Sequence, residues 1–514
     1  EKSLEIDNEI NDIVNKANHL NNIGLAKENL GEFEDAVNYY LKTLEIDESL
    51  GDKVKIAISY SNIGSCYTRQ GENFSKSLDF LERSLKIYEE LNDKVNIAYS
   101  YQNIGELYRL QYETDLAHDY FLKSLKINEE IGDIKAIAGD YINIANIYSL
   151  KGEHLKSVEY YNNTIQHFID LNDKVNLAII YNNLATSYRM LDDYDKANEY
   201  ILKSLEINIS VNDKLALKRN YDILGSIHQD LSDYEAALND YTRALHIAEE
   251  LQSLPDIADC QTKIGTIHEN MVEYKKAIGF YEKAAVINEK TGNFDNLIAN
   301  YNDIAHALIE NEELKTALDF YKKSLKVADK YNLLKQKASS NNNIGYVYNK
   351  TGDFMTAIDY YKTAIDLYSE LNDDEGIIRN YKNLSYCYED MQDYFKAIEY
   401  QKYIADNFID LSDSEQLADT YLAIGVLCYK SENDDEAIDY YFDAYDLYKA
   451  IDNQSGQATC LFNISLVQKY KELYDDALFN LNLAKKINHQ NDWDNESVDE
   501  QIETITKFLD KNDI

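Results

Sequence analysis

Proline is almost missing. Pro255 stands alone in 514 residues, so helices can run through nearly the whole chain without the ring that breaks their hydrogen-bond ladder. Basic residues are in deficit, with Lys+Arg 51 against Asp+Glu 92 and a net charge of -41. Such a surface repels phosphate backbones and anionic bilayers, which excludes nucleic acid and membrane as partners of the bulk surface. No apolar run approaches the roughly 18 residues that a membrane-spanning helix needs. Five cysteines (Cys66, Cys260, Cys387, Cys428, Cys460) show no Cys-x-x-Cys or zinc-ligand spacing. That excludes a disulfide framework and leaves reduced core thiols, which favour the cytoplasm, with an extracytoplasmic sensor segment as the alternative. There is no Walker loop, no HExxH, no GxSxG and no dinucleotide fingerprint, so neither an enzyme nor a cofactor is expected.

What the chain does contain is a period of forty. A small residue recurs at Gly24, Gly64, Gly105, Ala145, Ala185, Gly225, Gly265, Ala305, Gly345, Ser385, Gly425 and Ser465, forty apart except for one step of 41. A second follows twelve or thirteen places later, from Ala36 and Ser77 through Ala437 and Ala477. Twelve copies of one unit predict a stacked solenoid, in which each unit covers the apolar face of its neighbour. Such an array has no single core to outgrow, so the length does not call for several globular domains.

Each unit reads as two helices. In residues 93–131, Asp93 can cap a first helix, a break falls at 111–114, and Gly132 ends a second helix. Elsewhere the break carries glycine, as in Gly31-Glu32-Phe33 and Gly352-Asp353-Phe354. Val54, Ala57, Tyr60, Ile63, Gly64 and Tyr67, then Leu78, Leu81, Leu85 and Tyr88, recur at helical spacing and not in strand alternation. Tyr60, Tyr101, Tyr141, Tyr181, Tyr221, Tyr301, Tyr381 and Tyr421 stand four before their anchors. With pairs such as Tyr160-Tyr161 and Tyr360-Tyr361, they assign most of the 45 tyrosines to packing.

The motif aromatic-x-x-Leu/Ile-Gly-x-x-Tyr, then Gly, then Ala, then Tyr-Tyr, resembles the tetratricopeptide repeat over residues 2–490. The usual repeat is shorter and often ends at a proline. A forty-residue unit resembles the longer variety of kinesin light chains, spindle-orientation adaptors and the peptide-sensing Rap and PlcR-type regulators. The resemblance implies an all-α, right-handed superhelical solenoid of about twelve antiparallel helix pairs. The expected organisation has three parts. Residues 1–12 form the second helix of a preceding partial repeat, implying a natural chain that extends upstream or a native half-unit cap. Residues 13–490 form twelve repeats. Residues 497–511, opening on a capping box at Ser497 and Glu500, form a terminal helix that shields the last unit, with Trp493 plugged beside it.

The resemblance also implies that first helices line a concave groove. Two before the anchor stands asparagine in eight units: Asn22, Asn62, Asn103, Asn143, Asn183, Asn343, Asn383 and Asn463. An amide both donates to and accepts from a peptide backbone, so this ladder can hold an extended or helical segment whatever its side chains. The alternative is that each amide ties neighbouring helices together. The ladder breaks at Ile223, Lys263, Asp303 and Ala423.

Five of only seven arginines (Arg69, Arg109, Arg189, Arg219, Arg379) fall at first-helix positions, with Lys263, Lys350 and Lys382. Arginine reads carboxylates bidentately, which points to an acidic partner segment. The competing assignment pairs these cations with Glu106, Asp222 and Asp259. Leu422, Val426, Phe462 and Leu466, with Tyr429 and Tyr470, either receive an apolar anchor or lie under the terminal helix. His228, His268 and His306 substitute for packing residues, with metal ligation as the sharper alternative. The function expected is a protein- or peptide-binding scaffold; the alternative is a sensor module whose kinase, DNA-binding or protease output lies outside the segment. Self-association stays open.

Overall fold

The computed structural model describes residues 13–71, 73–407, 413–491 and 493–512. All regular structure among them is α-helical. Two compact units divide the chain, Glu1–Ser253 and Leu254–Ile514. The first holds six helix pairs: Ile13–Asn29 with Phe33–Leu50, Lys53–Gln70 with Phe74–Glu90, Lys94–Leu110 with Thr114–Ile131, Ile134–Leu150 with His154–Asp170, Lys174–Arg189 with Tyr194–Val211, and Lys214–Asp230 with Tyr234–Glu250. These are repeats 1 to 6. The second unit holds repeats 7 to 12: Leu254–Asn270 with Tyr274–Thr291, Phe294–Glu310 with Leu314–Lys330, Leu334–Lys350 with Phe354–Glu370, Asp374–Asp390 with Tyr394–Asn407, Ser414–Lys430 with Asp434–Ala450, and Gln454–Tyr470 with Tyr474–Gln490. A last helix, Glu496–Asn512, follows. The partial repeat expected over residues 1–12 lies outside the described residues.

The anchor is where the two helices of a hairpin cross. A Cβ placed on Gly105 would stand 2.8 Å from the Phe121 ring, closer than any real side chain tolerates, so the second-helix aromatic fills the space that glycine leaves. Buried aromatics sit sixteen residues beyond the anchor in most repeats, among them Tyr40, Phe121, Tyr161, Tyr241, Tyr281, Tyr321, Tyr361 and Tyr441. The tyrosines four before the anchor pack at a tilt against a second-helix ring instead, as in Tyr101 against Tyr120 at 5.9 Å and Tyr181 against Tyr200 at 5.8 Å.

Caps set the boundaries. Asp52, Asp93, Asp133, Asp173 and Asp213 each accept the backbone N–H three residues on, at 3.0–3.2 Å. Each cap satisfies a helix-start donor and is worth about 1 kcal/mol. The chain then reverses through a left-handed residue, Asn92, Asn172 or Asn212 between repeats and Gly152 or Gly352 within them. Val272 takes that conformation too, at φ 61, although a β-branched residue fits it poorly.

Within each unit, first helices of neighbouring repeats approach more closely than second helices do, so each stack bends with its first helices inside. None of the five cysteines forms a disulfide among the described residues, and all are buried. Burial pushes the Cys387 and Cys460 thiols up to about 12, which keeps them protonated and inert. At the far end, Phe462, Leu478 and Leu481 pack with Val498, Ile502, Ile505 and Leu509 of the last helix. Leu422 and Val426 pack inward beside Tyr441 and Ile464.

A candidate peptide groove along the first helices

A helical stripe of mostly exposed or half-buried residues runs along each first helix, at ten, six, three and two residues before the anchor and at one, four and five after it. The asparagine ladder belongs to this stripe, and every member of it from Asn62 to Asn383 is half-buried. Several amides do tie helices together. Asn62 donates to Asn21 at 2.8 Å, Asn103 to the Ser61 hydroxyl at 3.3 Å, and Asn383 to Asn342 at 2.9 Å. The rule is simple: the asparagine donates to the residue three before the anchor in the preceding repeat. Asn343 accepts from Asn342 beside it at 3.2 Å.

That rule fails in repeats 4 to 6, and the failure frees amides. The acceptor position facing Asn143 is Gln102, which is drawn away to Asp140 at 2.7 Å. The position facing Asn183 is Ile142, which cannot accept. Asn182 faces Ile223, which cannot donate. Neither Asn143 nor Asn182 makes a side-chain hydrogen bond among the described residues. Asn183 approaches only the Tyr161 hydroxyl, which also donates to Asn146. An unused amide on a half-buried wall is a ready partner for a peptide backbone.

The cations divide in the same way. Arg109 forks onto Glu106 through two bonds of 2.6 Å. Arg189 reaches Asp230 of the next repeat at 2.5 Å. Arg69 lies 3.2 Å from Glu28, a buried carboxylate that also accepts from Tyr40. Lys263 pairs with Asp259 at 2.7 Å, and Asp222 is taken by Lys218 at 2.8 Å. Lys350 lies over the Tyr346 ring. Arg219, Arg379 and Lys382 make no ion pair among the described residues. Arg219, in the first unit, is exposed.

Two hollows adjoin on this wall and share Asn183. One, of about 280 Å³, is lined by Val175, Ile179, Asn182, Asn183, Asn208 and Arg219. The other, of about 260 Å³, is lined by Arg109, Asn146, Ser149, Tyr161, Asn183 and Thr186. Beside them runs a feature that the sequence pattern did not single out. Val54, Ile58, Val95, Tyr99, Val175, Ile179 and Leu215 stand six or ten residues before their anchors, and all are exposed. Val54, one of the apolar residues at helical spacing, is 43% exposed. It lies one residue in register away from the buried face, a distinction too fine for helical periodicity to resolve. At the same positions in the second unit stand Asp259, Ala299, Ser339, Arg379, Asp419 and Thr459, and Pro255, Asp295, Lys335, Glu375, Glu415 and Ser455.

The histidines each rest on their own carboxylate: His228 on Asp240 at 2.8 Å, His268 on Glu273 at 2.7 Å and His306 on Glu269 at 2.6 Å. Asp303 occupies the ladder position in repeat 8. Burial, with the nearby Glu269 charge added, pushes its carboxyl up to about 6.

Helical hairpins stacked by small-residue crossings define a repeat protein of the helix-turn-helix solenoid class. The chain belongs to the tetratricopeptide repeat family, whose model matches residues 12–90, 55–130, 138–210, 177–250, 336–403 and 381–450. Solved structures similar to it include the apo form of the quorum sensor NprR from B. thuringiensis, at 17% identity over 66% of this chain and 99% of that one, with TM-score 0.45. Aspartyl phosphate phosphatase F from Bacillus subtilis is similar at 15% identity over 68% and 93%, TM-score 0.42. A signal transduction ATPase with a tetratricopeptide repeat sensor from Pyrococcus horikoshii is similar at 16% identity over 84% and 55%, TM-score 0.43. No curated protein matches the chain in sequence. No helix among the described residues is long and apolar enough to cross a membrane.

Proposed function

We propose that the protein is a peptide- or protein-binding scaffold whose groove lies on the first-helix face of repeats 3 to 6. The observation that carries this is the pair of hollows meeting at Asn183, bordered by the Asn182 amide, which makes no side-chain hydrogen bond among the described residues, and by the unpaired Arg219. The partner is a segment whose backbone meets Asn143, Asn182 and Asn183. Its apolar side chains lie against Val175, Ile179 and Leu215, and a carboxylate reaches Arg219. Arg109 and Arg189 are held by Glu106 and Asp230, so they hold the local charge near neutral and their partners give way only to a stronger anion. Backbone contacts supply affinity across many sequences, and the apolar edge with Arg219 supplies selection.

The test is a displayed peptide library selected on the intact chain and counter-selected on Asn183→Ala with Arg219→Glu. Peptides enriched by the first and lost on the second, with acidic and apolar positions in common, are expected. Peptides that bind both chains equally contradict the assignment of the groove.

A further inference from the structure

In a chain this acidic, residues 314–337 are an exception. They hold Lys315, Lys322, Lys323, Lys326, Lys330, Lys335 and Lys337 against Asp319 and Asp329. Among the described residues only Lys337 of these is paired with a carboxylate, Asp329, at 2.8 Å. Lys323 lies 4.0 Å over the Phe320 ring and Lys330 lies 4.8 Å over Tyr331. Lys315, Lys326 and Lys335 have no partner among the described residues. Three of these lysines, Lys323, Lys326 and Lys330, border a hollow of about 520 Å³. Its floor is apolar and aromatic, built from Phe294, Leu297, Tyr301, Val327 and Tyr331, with Glu289 at the edge. Phe294 and Tyr331 stack with centroids 3.5 Å apart. The hollow lies among the second helix of repeat 7 and both helices of repeat 8.

Repeat 11 supplies a natural contrast. A hollow of about 410 Å³ there shares two register positions with it, Tyr421 four before the anchor and Asp443 eighteen beyond it, and is lined also by Lys402, Asp406, Glu436 and Asp439. At the shared position eighteen beyond the anchor, repeat 8 carries Lys323 and repeat 11 carries Asp443. Only in repeat 8 do lysines stand at all three rim positions, 18, 21 and 25 residues beyond the anchor.

The geometry points to a second docking site, distinct from the first-helix groove: the lysine-rimmed hollow of repeat 8 takes an acidic peptide segment carrying an aromatic or large apolar anchor. The anchor enters among Phe294, Tyr301 and Tyr331, and flanking carboxylates meet Lys323, Lys326 and Lys330. The volume lies within the usual range for a bound ligand group, and an apolar floor with a few convergent charges is the usual make-up of such sites. A short acidic segment suits the site better than a nucleic acid. A polyanion longer than the patch meets the negative surface around it.

The test uses the full chain and a fluorescein-labelled peptide with a central phenylalanine flanked by Asp and Glu, followed by anisotropy at low and moderate salt. Saturable binding that weakens with salt is expected, along with a loss of roughly tenfold or more in affinity for Lys326→Glu with Lys330→Glu. Both lysines are exposed, so unchanged far-UV circular dichroism is expected for that variant. Asn183→Ala with Arg219→Glu leaves this affinity unchanged, which separates the site from the groove. Equal affinity for the lysine variant, absence of saturable binding to the native chain, or tighter binding of a single-stranded oligothymidylate than of the peptide would overturn the proposal.

Discussion

The two units carry one scaffold and two surfaces. Both are stacks of forty-residue hairpins with the same crossing, as at Gly105 over Phe121 and Gly345 over Tyr361. Their charges are alike, with 25 basic and 44 acidic residues in 1–253 and 26 and 48 in 254–514. Yet the first-helix edge of the first unit exposes Val54, Ile58, Val95, Tyr99, Val175, Ile179 and Leu215, where the second unit places mostly charged and small polar residues. Repeat 4 interrupts this edge with Lys135 and Gly139, but clustered exposed apolar side chains of this kind mark interaction sites. The lesson is that a repeat scaffold separates stability from recognition: anchors and second-helix aromatics are shared, while inward-facing positions are free to differ.

The shared scaffold predicts equal and large effects. Gly105→Leu in the first unit and Gly345→Leu in the second should each cost about 3 kcal/mol, because overpacking displaces the ring beneath. Urea denaturation checks this, and a marked inequality would break the claim that both units rest on one crossing.

The ladder position sharpens the contrast. There the first unit places amides in repeats 1 to 5 and Ile223 in repeat 6, while the second keeps Asn343, Asn383 and Asn463 but places Lys263, Asp303 and Ala423 in its other repeats. With its pKa at about 6 in the fold and 3.8 otherwise, Asp303 binds protons in the folded state that the unfolded chain has released. Stability should therefore fall as pH rises from about 4 to 6 and stay low above that. Asp303→Asn should remove that slope and raise stability at pH 8 by on the order of 2–3 kcal/mol, read from urea midpoints across pH.

Arg219 and Arg379 form the cleanest comparison. They occupy the same register, both exposed and without ion pairs, one beside an apolar edge and the other among polar residues. Arg219→Glu should weaken binding of a groove-selected peptide about tenfold, near 1.4 kcal/mol, and Arg379→Glu should leave it unchanged. Isothermal titration of both variants decides whether the apolar surroundings matter. The smallest effect lies in a turn: Val272→Gly relieves a left-handed β-branched residue that is 67% exposed, and should raise stability by about 1 kcal/mol in thermal denaturation.

Much of the fold is written in the order of residues. The anchors and the aromatics sixteen places beyond them meet inside one hairpin, so a local period exposes them. The Asp93 and Asp173 caps and the Asn92 and Asn172 turns are equally local. The site is less legible, because its logic runs between repeats. That Asn62 is used by Asn21 while Asn143 and Asn182 are left over depends on what stands about 41 residues earlier or later, and the same holds for Arg189 with Asp230. The exposed edge was hidden for another reason. Val95 and Tyr99 sit beside buried Ala98 on the same helix, and an apolar residue on a helix gives no sign of which side of that boundary it falls.

The most direct test of the groove is photo-crosslinking with a groove-selected peptide. A benzophenone side chain is placed at Ile179 in the first unit or at Ser339, its register equivalent in the second. The account predicts an efficient crosslink from position 179 and none above background from position 339. Crosslinking from 339 with none from 179 would contradict it.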